Sequence, residues 1–166
     1  SSLGFENISS FACYLGQDYL ELYSEPDLSA FKKDWQMTQI ITVENMRNSD
    51  ANTIKNGISG KELMYRAGTF IFKNAIWQPP VAIVCGSGNN AGDGYVLALL
   101  LTENNIACDI LQVSDKFSDD GKYYFDVCVK QGIKALKMAQ ITSLNKYHTI
   151  VDCLFGTGFK GTPKLE

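Results

Sequence analysis

The residues best suited to do chemistry lie in a glycine-rich segment near the middle of the chain, residues 86–94. Gly86, Gly88 and Ala91 match the pattern G-x-G-x-x-G/A, in which the glycines let the backbone approach a phosphate. The helix that follows such a turn adds free N–H groups and a partial positive charge. The segment also carries three polar side chains, Asn89, Asn90 and Asp93. A tight turn without a ligand, the alternative reading, has no need of these side chains, so the segment predicts a phosphate or dinucleotide site.

The acidic partner that usually accompanies this pattern is missing from its usual place. In NAD-binding folds an Asp or Glu about twenty residues further on, at the end of the second strand, binds the ribose. Asp109 has about the right separation, but it opens the predicted second strand instead of ending it. A plain NAD-dependent dehydrogenase is therefore a poor fit.

A second segment, from Asp152 to Gly158, places a carboxylate within an apolar strand that ends in glycines. A buried carboxylate is costly unless it is paired or binds a cation. Because ligands sit at the carboxyl ends of parallel strands, we expect Asn90 and Asp152 to converge on one hard cation, which amide and carboxylate oxygens suit. The alternative is that Asp152 accepts hydrogen bonds from neighbouring backbone. Lys160 either faces a phosphate or the reacting ring, or is a solvated loop lysine.

The remaining reactive side chains favour structural roles. His148 is the only histidine and lies just before a predicted strand, where a surface position is expected. The cysteines are scattered singly without a C-x-x-C pair, which argues against zinc and predicts reduced core thiols in a cytosolic protein. They are Cys13, Cys85, Cys108, Cys128 and Cys153.

Alternating strands and helices must position these residues. Apolar, β-branched runs predict strands at 81–85, 107–113, 135–138 and 149–155. Capping residues and helical spacing predict helices from Thr42 to Gly57, from Ser59 to about Ala75, over 95–101, and from about 118 to 131. The pattern implies a three-layer αβα, Rossmann-like α/β fold with a mostly parallel sheet that is incomplete at the C-terminus. Residues 37–166 form this domain, and residues 1–36 are an extension of unknown role.

Composition excludes several classes of protein. The chain has 166 residues and is 45% hydrophobic, enough apolar material for one domain with a real core. Fifteen Lys and Arg against eighteen Asp and Glu give a net charge of −3, which argues against a nucleic-acid binder. No apolar stretch is long enough to span a membrane, and no basic segment followed by an apolar run marks a secretory signal. A cytoplasmic location is therefore expected.

Three segments together resemble one known family. The first runs from Met46-Arg47 through Gly57 to Arg66-Ala67-Gly68, the second is Cys85-Gly86-x-Gly88-Asn89-Asn90-Ala91-Gly92-Asp93-Gly94, and the third is Asp152-x-Leu154-Phe155-Gly156-Thr157-Gly158. In this order they resemble the YjeF N-terminal domain family, the NAD(P)H-hydrate epimerases. The resemblance covers about residues 37–166, and Ala91 stands where a glycine is more usual.

The resemblance implies an isomerase that interconverts the R and S epimers of NADHX and NADPHX, hydrated and damaged nicotinamide cofactors. A partner NAD(P)HX dehydratase, often fused to the epimerase in bacteria, then restores NAD(P)H. The resemblance also implies a potassium ion held by Asn90 and Asp152. The residues matching its two substrate loops are Asn89, Asn90, Ala91, Gly92 and Asp93, and then Gly156, Thr157, Gly158, Phe159, Lys160, Gly161 and Thr162.

The resemblance does not extend to the family's key catalytic residue. The family places its key acidic residue in an Asp-x-x-Ser-Gly segment on a later strand, so the expected catalytic Asp lies beyond the end of this chain. Lys160 matches a lysine found in some members only and is the catalytic candidate within the chain. Two other functions stay open: a non-catalytic binding or scaffold module of the same fold, and a Rossmann NAD(P)-binding oxidoreductase. A homodimer is a further expectation.

Overall fold

The structure is a computed structural model that describes residues 42–156 and 159. These residues fall into two units that divide between Gly57 and Ile58. The predicted extension, residues 1–36, lies outside the described residues. Among the helices that are described, none has the length and apolarity that a membrane crossing requires.

The smaller unit contributes one described helix, α1 (Val43–Lys55). Its N-cap is Thr42, whose hydroxyl oxygen accepts a hydrogen bond from the Asn45 N–H at 3.1 Å. Gly57 follows the helix with φ +99°, a backbone conformation that glycine adopts without strain. The predicted helix and both of its ends are confirmed.

The larger unit is an α/β domain. It begins with α2, whose N-cap Ser59 accepts a hydrogen bond from the Glu62 N–H at 3.1 Å, and its strands alternate with helices from there. The elements in order are α2 (Gly60–Asn74), β1 (Val81–Cys85), α3 (Asn89–Glu103), β2 (Cys108–Gln112), α4 (Asp119–Lys130), β3 (Ala135–Lys137), a 3₁₀ turn (Met138–Gln140) and β4 (Thr149–Cys153).

The four strands form one parallel sheet in the order β3-β2-β1-β4. β1 is central and buried along its whole length, as its continuous apolar sequence predicts. The α/β class and the parallel sheet are therefore confirmed. The connection between β3 and β4 crosses from one outer strand of the sheet to the other. β1 and β4 are therefore neighbours although they are far apart in sequence.

The two faces of the sheet are covered differently. Helices α2, α3 and α4 pack on one face, against a core that includes Ile83, Ile110 and Val151. The other face carries Ala82 and Leu111 and is covered by the connection from β3 to β4, which includes the 3₁₀ turn. In the described part of this unit, the helical layer lies on the first face only.

Helix α3 begins earlier than the sequence predicts. The expected start was Tyr95, after a glycine turn over 86–94, but the helix begins at Asn89 and the turn is only three residues long. The helical glycines serve packing. A Cβ on Gly94 would lie 2.9 Å from the Cys153 sulfur, and one on Gly92 would lie 2.5 Å from the Met64 methyl group. Glycine therefore lets α3 approach β4 and α2 closely.

The described cysteines are core thiols, as predicted. Cys85, Cys128 and Cys153 are buried, Cys108 is half-buried, and all four are free. Burial raises the pKa of each thiol, that of Cys128 to about 12, so these groups stay protonated near neutral pH.

Candidate functional site

The loops that follow β1 and β4 meet at the carboxyl edge of the sheet. The Gly86 N–H donates to the Cys153 carbonyl oxygen at 3.1 Å. The Asn90 side-chain N–H donates to the Phe155 carbonyl oxygen at 2.9 Å. β1 and β4 are the strands at which the connections reverse direction, and open α/β sheets bind ligands in the crevice at such a point. The two segments singled out in the sequence therefore share one edge.

Close packing explains two of the glycines at this edge. A Cβ on Gly86 would overlap the carbonyl oxygen of Leu154, and one on Gly156 would lie 3.3 Å from the Cβ of Asn90. Gly88 differs, because no atom lies within 4 Å of the position its Cβ would take. Of the glycines in the 86–88 turn, Gly88 is the one that leaves open space in front of the backbone.

No side chain of the described residues caps the N-terminus of α3. Its N-cap is Gly88, which supplies no side chain, and its first turn holds no acidic residue. The Asn89 and Asn90 backbone N–H groups donate to no atom among the described residues, whereas those of Ala91 and Gly92 donate to the Gly88 carbonyl oxygen at 3.1 and 3.3 Å.

The other helices in the described part of the chain are closed at this end. α1, α2 and α4 each have a hydroxyl cap and an acidic residue in the first turn. An uncapped helix start with free N–H groups and a positive dipole end suits a phosphate, and among the described helices α3 is the one with this chemistry.

Asp152 is exposed, so the expectation of a buried carboxylate is wrong. Val151 and Cys153 point into the core on the helical face, and strand alternation places Asp152 on the other face. One of its oxygens, Oδ1, accepts a hydrogen bond from the Leu154 N–H at 2.9 Å. Bonding to neighbouring backbone, the alternative left open by the sequence, is what the structure shows. Burial therefore gives no reason for a cation here.

Two carboxylates, from two different elements, influence the same buried thiol. Burial is the main reason that the pKa of Cys153 is raised, and the nearby charges of Cys85, Asp93 and Asp152 raise it further. Asp93 is half-buried in α3. Two carboxylates, one from α3 and one from β4, therefore lie near the Cys153 sulfur.

Two side chains at this edge offer oxygen atoms that can ligate a cation. The Asn90 amide nitrogen donates to Phe155, and the amide oxygen accepts no hydrogen bond from another described residue. The second carboxylate oxygen of Asp152, Oδ2, accepts no hydrogen bond from another described residue. Oxygen donors of this kind suit a hard cation. In the described part of the chain no three His, Cys, Asp or Glu side chains gather into a metal cluster.

The loop after β4 carries two exposed aromatic rings. Phe155 and Phe159 lie with ring centroids 4.2 Å apart, and the Phe159 N–H donates to the Gly156 carbonyl oxygen at 3.0 Å. The other predicted site residues of this loop lie outside the described residues. These are Thr157, Gly158, Lys160, Gly161 and Thr162.

Asp109 belongs to the opposite edge of the sheet. Its carboxylate accepts hydrogen bonds from the Tyr147 hydroxyl at 2.6 Å and the Lys146 ammonium at 3.1 Å. The first acidic residue beyond the end of β2 is Asp115. The sequence analysis did not single it out because the usual spacing of about twenty residues leads from Gly86 to Asp109.

Residues 60–165, more than half of the chain, match the sequence model of the family described as YjeF-related protein N-terminus. The chain belongs to this family. The resemblance stated from the sequence is therefore confirmed, on the segment that contains both loops.

Relatives of this YjeF N-terminal chain carry epimerase and repair-enzyme names. An NAD(P)H-hydrate epimerase of Lentilactobacillus buchneri is 40% identical over 130 residues, which are 74% of this chain and 60% of the relative. A bifunctional NAD(P)H-hydrate repair enzyme Nnr of Coxiella burnetii is 31% identical, over 77% of this chain and 27% of the relative. The chain thus spans about three fifths of the first relative and about a quarter of the second.

A solved structure supports the fold of the YjeF N-terminal chain. The crystal structure of yeast ynu0, YNL200c, superposes with a TM-score of 0.58 over 72% of this chain and 58% of the yeast chain. The sequence identity is 20%, so this likeness shows the fold alone.

Proposed function

We propose that the protein is an NAD(P)H-hydrate epimerase, or the part of one that carries its two substrate loops. It would interconvert the R and S epimers of NADHX and NADPHX. The observation that carries the proposal is the meeting of the two loops at the carboxyl edge of β1 and β4, beside the uncapped start of α3. Relatives that share this segment are named NAD(P)H-hydrate epimerases.

The substrate's diphosphate would bind at the start of α3. The free N–H groups of Asn89 and Asn90 would donate to its oxygens, and the space in front of Gly88 admits them. Residues 89–93 would bind the substrate from α3, and residues 156–162 are the proposed second substrate loop. The hydrogen bond from Asn90 to Phe155 links α3 to the start of the loop after β4 before the substrate arrives.

We propose that Asn90 and Asp152 also hold a potassium ion. The atoms are the amide oxygen of Asn90 and the carboxylate oxygen of Asp152 that Leu154 does not occupy. A cation there would offset the negative charge of Asp152 next to the bound diphosphate. Epimerisation at the hydrated ring carbon needs proton transfer, for which a positioned carboxylate is suited. Lys160 is the candidate within the chain, and the expected Asp lies on a later strand of the family's domain.

An NAD(P)HX dehydratase is the proposed functional partner. Two relatives, from Coxiella burnetii and Methanospirillum hungatei, are named bifunctional repair enzymes, and the chain covers about a quarter of each. We further propose a cytoplasmic location, which the four free thiols among the described residues favour. We also propose that the protein forms a homodimer.

The test is an assay on pure S-NADHX and pure R-NADHX, with the epimers separated chromatographically over time. We expect interconversion that slows when potassium is replaced by choline. Asn90→Ala should lower the rate about 10- to 100-fold, since it removes a site group and the link to Phe155.

The matched control is Asn104→Ala, at the other end of α3. The Asn104 side chain also donates to a backbone carbonyl, that of Leu100 at 2.8 Å, but it lies away from the site. We expect its rate to stay within twofold of the unchanged protein. Binding of NADHX without interconversion would favour the non-catalytic module. Absence of both would remove the proposed function.

A further inference from the structure

The end of β2 lies beside the glycine turn and carries side chains that no role so far explains. β2 ends at Gln112, and the Val113 N–H still donates to the Cys85 carbonyl oxygen at 2.9 Å. Since Gly86 follows Cys85 directly, this bond keeps Val113 next to the turn. The Val113 side chain is 55% exposed, an apolar surface at the mouth of the site.

Asp115 follows two residues later and forms an ion pair with Lys137 at the end of β3. Asp115 lies in a turn in which the Ser114 hydroxyl oxygen accepts a hydrogen bond from the Lys116 N–H at 3.1 Å. The Asp115 side chain is 80% exposed and that of Lys137 is 44% exposed. An exposed ion pair is worth little because water and salt screen it. Either partner is therefore free to exchange the other for a ligand at small cost.

We propose that Asp115 and Lys137 read the 2′ position of the substrate's adenosine ribose, and that Asp115 makes the site prefer NADHX over NADPHX. This inference rests on the proposed function. When the diphosphate of a dinucleotide sits at the first helix after the glycine turn, its adenosine ribose lies at the end of the second strand. In the described chain, Asp115 is the first acidic residue beyond that end, and Val113 offers an apolar surface to the base.

The chemistry of the pair sets the direction of the preference. A carboxylate accepts hydrogen bonds from a ribose hydroxyl and repels a phosphate. The ammonium group of Lys137 would attract a 2′-phosphate, but Asp115 neutralises it. Removing the charge of Asp115 should therefore both end the repulsion and release Lys137 to bind the phosphate.

The test compares the binding of NADH and NADPH, which differ only by the 2′-phosphate, by fluorescence titration of the protein. The unchanged protein should bind NADH more tightly. Asp115→Asn should move the ratio of the two Kd values about tenfold toward NADPH, because the lost repulsion and the attraction of the released Lys137, each worth a few-fold, act together. Adding Lys137→Ala to that variant should remove most of the gain for NADPH.

The matched control is Asp126→Asn. Asp126 also sits in a half-exposed ion pair, with Lys122 at 2.6 Å on α4, and losing its charge changes the net charge equally. Its Kd ratio should not move. If Asp115→Asn shifts the ratio no more than Asp126→Asn does, the inference is overturned. Failure of the protein to bind either dinucleotide would overturn it too, and the epimerisation assay reports on the proposed function independently of both results.

Discussion

The two edges of the sheet carry similar polar residues and use them in opposite ways. At the amino edge, Asp109 accepts hydrogen bonds from Tyr147 and Lys146, and Thr149 both donates to and accepts from the Gln78 backbone. At the carboxyl edge, two backbone N–H groups at the start of α3 have no partner among the described residues. The amino edge uses its polar groups to close the fold, whereas the carboxyl edge leaves two backbone N–H groups that the proposed ligand would use.

The largest effect on the epimerisation rate should come from replacing a carboxylate at the carboxyl edge, with the same replacement at the amino edge as its control. We expect Asp152→Asn to lower epimerisation about 10- to 100-fold and to raise the potassium concentration needed for half-maximal rate. Asp109→Asn should leave the rate within twofold, because its partners are protein groups at the amino edge. Initial rates against potassium concentration measure both. An unchanged rate in Asp152→Asn would remove the ion from the proposal.

The turn after β1 contains two glycines whose substitution should have different effects, one on stability and the other on ligand binding. A Cβ on Gly86 meets the Leu154 backbone, which cannot move without disturbing β4. We expect Gly86→Ala to lower the free energy of unfolding by about 3 kcal/mol, measured by urea denaturation.

Gly88→Ala is the matched control, since its Cβ meets nothing and its φ of −102° is open to any residue. It should cost no more than about 1 kcal/mol, the usual penalty for placing alanine at an N-cap position. Its methyl group would enter the space proposed for the diphosphate, so NADH binding should weaken although the fold survives. Equal losses of stability in the two variants would contradict the packing argument.

The sequence predicts the frame of the fold well because the signals are local. Thr42 and Ser59 cap their helices as predicted, and β1 has the predicted bounds. The start of α3 was misplaced because Gly92 and Gly94 weaken local helical propensity, and their value appears only when α3 packs against Met64 and Cys153.

The candidate site was harder to predict because it depends on side-chain direction. The spacing showed that Asn90 and Asp152 both lie at carboxyl ends of strands. It could not show that Asp152 faces outward, since an almost continuous apolar strand hides which face each residue takes. The partners of Asp109 come from residues 37 and 38 positions away, which no local pattern reveals.

The amino edge predicts a pH-dependent contribution to stability. Partial burial acts to raise the pKa of Asp109, but hydrogen bonds from Tyr147 and Lys146 outweigh it and hold the pKa below its usual value. Tyr147→Phe should lower the free energy of unfolding by about 1–2 kcal/mol at pH 7. A carboxyl with a lowered folded-state pKa stabilises above its unfolded value of about 3.9 and loses this effect as the pH falls. The difference between Tyr147→Phe and the unchanged protein should therefore shrink below pH 4.

Tyr123→Phe controls for the loss of a tyrosine hydroxyl, because the Tyr123 side chain is about half exposed and its ring, not its hydroxyl, makes its contacts. Urea denaturation at pH 7 and pH 3.5 measures both variants. A Tyr147→Phe deficit that stays constant between the two pH values would mean that the hydrogen bond does not depend on the charge of Asp109.

The buried thiols give the smallest effect and the finest comparison of the two edges. Cys85 and Cys153 lie at the carboxyl ends of β1 and β4, while Cys108 begins β2 at the amino edge. Burial raises the pKa of all three thiols, so alkylation at pH 8 requires local opening, and half-buried Cys108 should react first.

A ligand that binds only the closed form of the carboxyl edge lowers the fraction of molecules that are open there, about fivefold at four times its Kd. NADH should therefore slow iodoacetamide labelling of Cys85 and Cys153, followed by peptide mass spectrometry, and leave Cys108 unchanged. Equal protection of all three thiols would mean that the ligand stabilises the whole domain, and protection of Cys108 alone would move the binding site to the amino edge.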